Sequence, residues 1–161
     1  MCSASVSANS KDLNEFIKQP EVVGKARLSM MFWDIYDASL IAPSGKFTKE
    51  NPFALELTYL RDFDGEEIAS RSIDEIRKLG MDDEVKLAKW YQEMKDIFPN
   101  VKEGDTITGV VDNDQISHFY IDEQLLGHVH DKEFSKWFFS IWLSEDTSEP
   151  KMRKQLLGLA K

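Results

Sequence analysis

The chain has 161 residues, 42% of them apolar and 30% charged, with a formal net charge of -9. That length and balance describe one globular domain able to bury a substantial core, and the acidity argues against nucleic-acid phosphate or an anionic membrane surface as partner. A single cysteine, Cys2, rules out an internal disulfide framework and any multi-cysteine zinc site, and no apolar run is long enough to span a bilayer.

Residues 1–20 read as a small, polar lead-in that is partly disordered, with one short helix at Leu13–Lys18 stopped before Pro20. The domain itself is expected over 21–161. It opens with two β-rich runs, Val22–Phe32 and Ile35–Ala42, meeting at Trp33-Asp34 and closed by the turn Ala42-Pro43-Ser44-Gly45. Phe53–Leu60 alternates well enough for a third strand. After the turn Asp62-Phe-Asp-Gly65, whose aspartates are suited to backbone hydrogen bonding, a helix over Glu66–Leu79 sets Ile68, Ile73, Ile76 and Leu79 near one side. A second helix, capped by Asp82 or Asp83, runs to Phe98 before Pro99. Three more strands are predicted at Thr106–Asp112, Ile116–Ile121 and Gln124–Val129, joined by tight turns at Asn113-Asp114 and Asp122-Glu123. Asp131 caps an amphipathic helix carrying Phe134, Trp137, Phe138, Ile141 and Trp142, a stripe that reads as core. A last helix is expected at Lys151–Leu159. Strands, two helices, strands and helices in that order predict an α+β fold, an antiparallel sheet with helices packed on one face.

Arg27 is the oddity of the first strand, a guanidinium among largely apolar neighbours. Side chains alternate faces along a strand, so Val23, Arg27 and Met31 share one face. A two-residue turn at Trp33-Asp34 sets Met31 opposite Tyr36 and Arg27 opposite Leu40, and then Arg27 and Tyr36 project from the same side. A three-residue turn separates them. On one apolar face, an arginine and a phenol suit a carboxylate or an enolate. The bland alternative, which chemistry alone favours, is that Arg27 pairs with a nearby aspartate or reaches solvent.

The segments Gly24-Lys-Ala-Arg27, Tyr36-Asp-Ala-Ser-Leu40, Tyr59-Leu-Arg-Asp-Phe-Asp-Gly65, Gly104-Asp-Thr-Ile107, Leu126-Gly127 and Phe134–Leu143 with Ser148-Glu-Pro150 are each weak alone. In this order and spacing the chain resembles the chalcone isomerase-like family, most closely its bacterial branch, over Val22 to Gly158. The resemblance implies an open-faced β-sandwich. It also implies two kinds of relative, isomerases that close a chalcone to a flavanone and non-catalytic proteins that bind fatty acids. In both, an arginine of the early strand points into the ligand cleft, and Arg27 matches it. At the place of the isomerases' threonine stands Tyr36, as in the fatty-acid binders, where a tyrosine helps hold the carboxylate. Two isomerase positions depart: Ile68 replaces a tyrosine, and Glu75 replaces an asparagine. Ring closure needs a cation and hydroxyl donors aimed at the developing oxyanion, and a missing donor costs roughly 3 kcal/mol.

The leading expectation is a non-catalytic binder of a small apolar carboxylate such as a fatty acid. Arg27 and Tyr36 would hold the head, Met31 and Leu40 would line the cleft, and no cofactor is expected. The alternatives are an isomerase or lyase in which Arg27 stabilises an enolate, and a structural module with a closed cleft. His128-Val-His130, with His118 or Asp131, forms at most half of a metal site, and the plainer reading is a polar strand end. The Ser/Ala-rich start fits a periplasmic protein whose export signal lies outside this sequence, with the cytoplasm as the alternative.

Overall fold

The computed structural model describes residues 11–159. Six strands form one antiparallel sheet in sequence order: β1 Pro20–Met30, β2 Trp33–Pro43, β3 Phe53–Tyr59, β4 Thr106–Val111, β5 Ser117–Ile121 and β6 Gln124–Val129. Two helices, α1 Gly65–Lys78 and α2 Glu84–Ile97, connect β3 to β4. Two more, α3 Lys132–Leu143 and α4 Pro150–Leu156, follow β6. The predicted α+β fold, an open-faced sheet with helices on one face, is what the chain adopts.

The two-residue periodicity of the strands builds the helix-facing side. Leu28, Tyr36, Ala38, Leu40, Leu55, Leu57, Tyr59 and Ile107 face α1, α3 and α4 within one continuous core. Phe134, Phe138, Phe139 and Trp142 recur at helical spacing along α3; Phe139 meets Phe53 edge-to-face, Phe134 and Phe138 meet Phe119 edge-to-face, and Trp142 packs on Phe138. Asp131 caps α3 by accepting the amide hydrogens of Glu133 and Phe134, and its other oxygen accepts the indole N–H of Trp90. Asp131 is thus a structural residue that ties α2 to α3. Asp62 has a comparable duty, accepting the Glu103 amide at 2.9 Å.

The outer face is polar: Arg27 with Asp37, Thr58 with Thr106, and His118 with His128. A small apolar patch of Ile41, Ala54, Val110 and Tyr120 interrupts it, and residues 11–19 cover that patch through buried Leu13 and Ile17. The helix expected at Leu13–Lys18 is a single turn held by Leu13 O, because the chain must leave it at Gln19 (φ 50°) to enter β1. The rest of the expected lead-in, residues 1–10, lies outside the described residues.

Two turns differ from expectation. The β4–β5 loop spans residues 112–116, not two residues, because Asp112 accepts the amides of both Asp114 and Ile116. The β1–β2 turn sits at Met31-Phe32, two residues earlier than predicted, with Met30 opposite Trp33.

His118 and His128 oppose one another across β5 and β6, their Nδ1 atoms 2.6 Å apart, while His118 Nε2 lies 2.7 Å from Asp112 Oδ2. His130 stands one strand repeat from His128. Among the described residues no group of three or more His, Cys, Asp or Glu is arranged to hold a metal. Burial, then His118 and His130 nearby, depress the pKa of His128, with Asp112 opposing them. A depressed imidazole pKa favours folding above the ordinary histidine value of about 6.5, and that contribution is lost as pH falls through the folded value. The thermal unfolding midpoint should therefore fall as pH is lowered across the histidine range, and less steeply in His128→Gln. An equal slope in both proteins would contradict the assignment.

Gly24 sits at a register shift of β1, where a Cβ would come 2.1 Å from the Gln155 carbonyl oxygen and 2.6 Å from that of Leu156. The backbone of α4 occupies the space a side chain needs, so only glycine lets α4 dock on β1. Gly24→Ala should lower stability by about 1–3 kcal/mol, read as a lower urea midpoint with an unchanged slope.

Candidate functional site

The helices do not cover the whole inner face. At the end of the sheet where Tyr36 pairs with Tyr59, a cavity of about 230 Å³ opens between β1–β3 and helices α1, α3 and α4. Its walls are mainly apolar: Leu28, Ile35, Leu57, Phe63, Ile68 and Ile141 are among them. Its polar groups come from three directions. β2 and β3 supply Tyr36 and Tyr59, α1 supplies Glu67, Arg71 and Glu75, and the turn into α4 supplies Ser148 and Glu149.

Tyr36 is the best-defined of these. Its hydroxyl oxygen accepts the indole N–H of Trp142 at 2.8 Å, which fixes the ring and leaves the phenolic proton free to donate into the cavity. Burial pushes its pKa up to about 12, against the lowering effects of Trp142 and Arg71. Tyr59, whose ring meets that of Tyr36 edge-to-face at 5.8 Å, is likewise pushed up by burial and then by Tyr36. Both phenols therefore stay protonated through the neutral range and serve as donors, not bases.

Arg71 reaches the mouth of the cavity from α1. Its Nη2 lies 3.0 Å from Met30 Sδ, and its nearest carboxylate oxygen, Glu75 Oε2, is 3.8 Å from Nε. Glu75 is occupied elsewhere: it accepts from Ser148 Oγ at 2.5 Å and from Lys78 Nζ at 3.0 Å. Burial pushes the Glu75 carboxyl up, but Ser148, Lys78 and Arg71 together hold it below the ordinary value. It is an ionised carboxylate with its oxygens engaged.

The register of β1 and β2 differs from the expected one. Leu28, not Met31, opposes Tyr36, and Arg27 opposes Asp37. Arg27 therefore projects from the outer face. There its Nε and Nη2 bind the Asp37 carboxylate at 2.7 and 3.0 Å, and its Nη1 reaches Asp34 at 3.3 Å. The aspartate-pairing alternative describes Arg27. The same-face expectation fails because the bulge after Leu28 shifts the register by one residue; the turn alone, two residues early, would have left Arg27 opposite Tyr36. Met31 is 93% exposed at the turn, and Leu40 is buried in the core outside the cavity wall. Of the four expected ligand-binding residues, only Tyr36 lines the cavity.

Ile68 and Glu75 do line it, so both departures from the isomerase pattern fall at the cleft. Arg71, Tyr59 and Trp142 were not anticipated as site residues. One signal was available: Arg71 and Glu75 stand one and two turns beyond Ile68 on the core-facing side of α1, where a charged residue must reach a partner or an opening.

A family profile described as chalcone isomerase-like matches residues 8–158. An uncharacterised protein of Haemophilus influenzae is 27% identical over 140 residues, covering 86% of this chain and 68% of that protein. The crystal structure of a fatty-acid binding protein of Arabidopsis thaliana superposes with a TM-score of 0.67, covering 86% of this chain and 87% of that one at 12% identity. The chain belongs to the chalcone isomerase-like family.

Proposed function

We propose that the cleft binds a small, largely apolar carboxylic acid such as a fatty acid, with its head between Tyr36 and Arg71. The observation that carries this reading is the Tyr36 hydroxyl. Trp142 holds it in place, it stays protonated, and it lines a chamber whose walls are mainly apolar. Burial of the apolar tail drives such binding, and the polar head fixes orientation. The structural likeness to a fatty-acid binding protein supports the same reading. A benzene-sized guest occupies a cavity of about 150 Å³, so 230 Å³ suits roughly nine non-hydrogen atoms by the same scale. Octanoate is about that size, and a longer chain would extend through the mouth.

Ring closure of the chalcone type lacks here the groups that the family resemblance assigns to it. The cation expected of it, Arg27, is paired on the outer face, and Ile68 offers no donor.

A second reading is favoured by one observation: Glu67, Glu75 and Glu149 border the same cavity. Three carboxylates suit a neutral head, such as a hydroxyl or carbonyl, better than an anion. Calorimetric titration with octanoate and octan-1-ol separates the two. On the acid reading octanoate binds more tightly. Arg71→Gln and Tyr36→Phe then each weaken it about tenfold or more, the range for hydrogen bonds to a charged group, with little change for the alcohol, and Arg27→Gln changes neither. Preference for the alcohol would establish the second reading, and binding of neither would overturn both.

A further inference from the structure

The turn between β1 and β2 carries four consecutive apolar side chains outward. Met30 is 38% exposed, Met31 93%, Phe32 94% and Trp33 56%. Single exposed apolar residues are ordinary on a protein surface, whereas a contiguous cluster at a protruding tip marks a contact surface. The turn chemistry points the same way. Two-residue hairpin loops favour glycine or asparagine where φ is positive, yet Met31 holds φ at 57°, a conformation that disfavours bulky side chains. Methionine and phenylalanine at this turn serve something other than forming it.

The tip is continuous with the cleft. Leu28 and Ile35, on the two strands just below it, line the cavity, and Met30 Sδ touches Arg71 at the cavity mouth. On the other flank the Arg61 guanidinium lies over the Trp33 ring, 4.0 Å from its centroid. The rim has mixed charge, since Asp34, Asp62 and Glu103 share a depression with Arg61. With a net charge of -9 on the whole chain, anionic lipid is a poor match. A zwitterionic headgroup layer, which offers phosphate to arginine and ammonium to carboxylate, is a good one.

We propose that the Met30–Trp33 tip inserts into the surface of a zwitterionic phospholipid bilayer and sets the cavity mouth against the membrane from which an apolar ligand enters. Phe32 and Met31 enter the acyl boundary, and Trp33 lies at headgroup level, where amphipathic rings concentrate. Arg61 holds the indole and meets phosphate. The delivery role rests on the cleft reading, and the membrane contact does not.

The test is co-sedimentation of the full chain with phosphatidylcholine vesicles, comparing the wild type, Phe32→Asp, and the double variant Met31→Gly with Phe32→Ser. These side chains are solvent-exposed, so Phe32→Asp should keep the wild-type unfolding midpoint and the double variant should keep or exceed it, since glycine suits the positive φ at position 31; octanoate titration checks the cleft separately. The expected result is wild-type binding that falls at least roughly tenfold in both variants, the loss expected for an unburied Phe side chain, with octanoate affinity retained. Equal partitioning of wild type and variants, or no wild-type binding to vesicles, would overturn the proposal. So would a concentration-dependent dimer that the variants abolish, since the tip would then be a contact between copies of the chain. Vesicle binding without octanoate binding would remove the cleft reading and leave the membrane surface standing. Octanoate binding without vesicle binding would do the reverse.

Discussion

The hairpin wall of the cleft, Leu28, Ile35 and Tyr36, depends on one pairing, Leu28 opposite Tyr36 across β1 and β2. Strand side chains alternate with a period of two, so a one-residue slip would bring Arg27 inward and send Leu28 to solvent. Two features pin the register. The turn closes at Met31-Phe32, and the bulge after Leu28 absorbs the extra residue between turn and strand. At the far end of the hairpin, Gly24 admits the α4 backbone against β1. On the outer face the Arg27–Asp37 pair lies directly across the two strands and favours the same alignment. Its exposure keeps that contribution small.

Packing then decides where the cavity lies. Over the middle of the sheet, Phe134, Phe138 and Phe139 fill the space against Phe53 and Phe119, and Gly109, with no Cβ, lets two phenyl rings approach its strand. Toward the Tyr36 end, α3 contributes Trp142 as its last large ring, and the chain turns away into Ser148 and α4. Trp142 thus has two roles, a wall that meets Phe138 edge-on and a donor that orients Tyr36. The low polarity of this corner keeps both phenols protonated, and the same environment strengthens any hydrogen bond they make to a guest. Perturbed groups of this kind gather at binding sites more often than in ordinary cores.

The order of elements was legible because periodicity, caps and Gly/Pro punctuation agree along most of the chain. Asp131 before the α3 aromatics and Asp122-Glu123 between β5 and β6 both do what their chemistry suggests. The hairpin was not legible to the residue. Met31-Phe32 carries no turn signal, whereas Trp33-Asp34 contains an aspartate, a common turn former, so local chemistry pointed two residues too far along. That displacement preserves strand parity; the bulge after Leu28, which carries no sequence signal, is what turns Arg27 to the outer face, while the family resemblance pointed it into the cleft. Its real partners, Asp34 and Asp37, were in the same stretch, and a long cation with an acid across a strand is a sufficient explanation of such a residue. Arg71 was hidden for the opposite reason. On an amphipathic helix a charged residue beside an apolar stripe looks like a boundary position, and only the tertiary gap between α1 and the β1–β2 tip shows that it faces a cavity.

Tyr36 and Arg71, on the helix-covered face, are the groups we propose to hold the head of an apolar ligand. The most direct measurement is a crystal structure of the protein with octanoate. The carboxylate should lie within hydrogen-bond distance, about 2.5–3.2 Å, of the Tyr36 hydroxyl and the Arg71 guanidinium, with the tail running toward Leu57 and Ile141. A carboxylate bound to Arg27 on the outer face, or a well-occupied ligand elsewhere with the cavity empty, would contradict it.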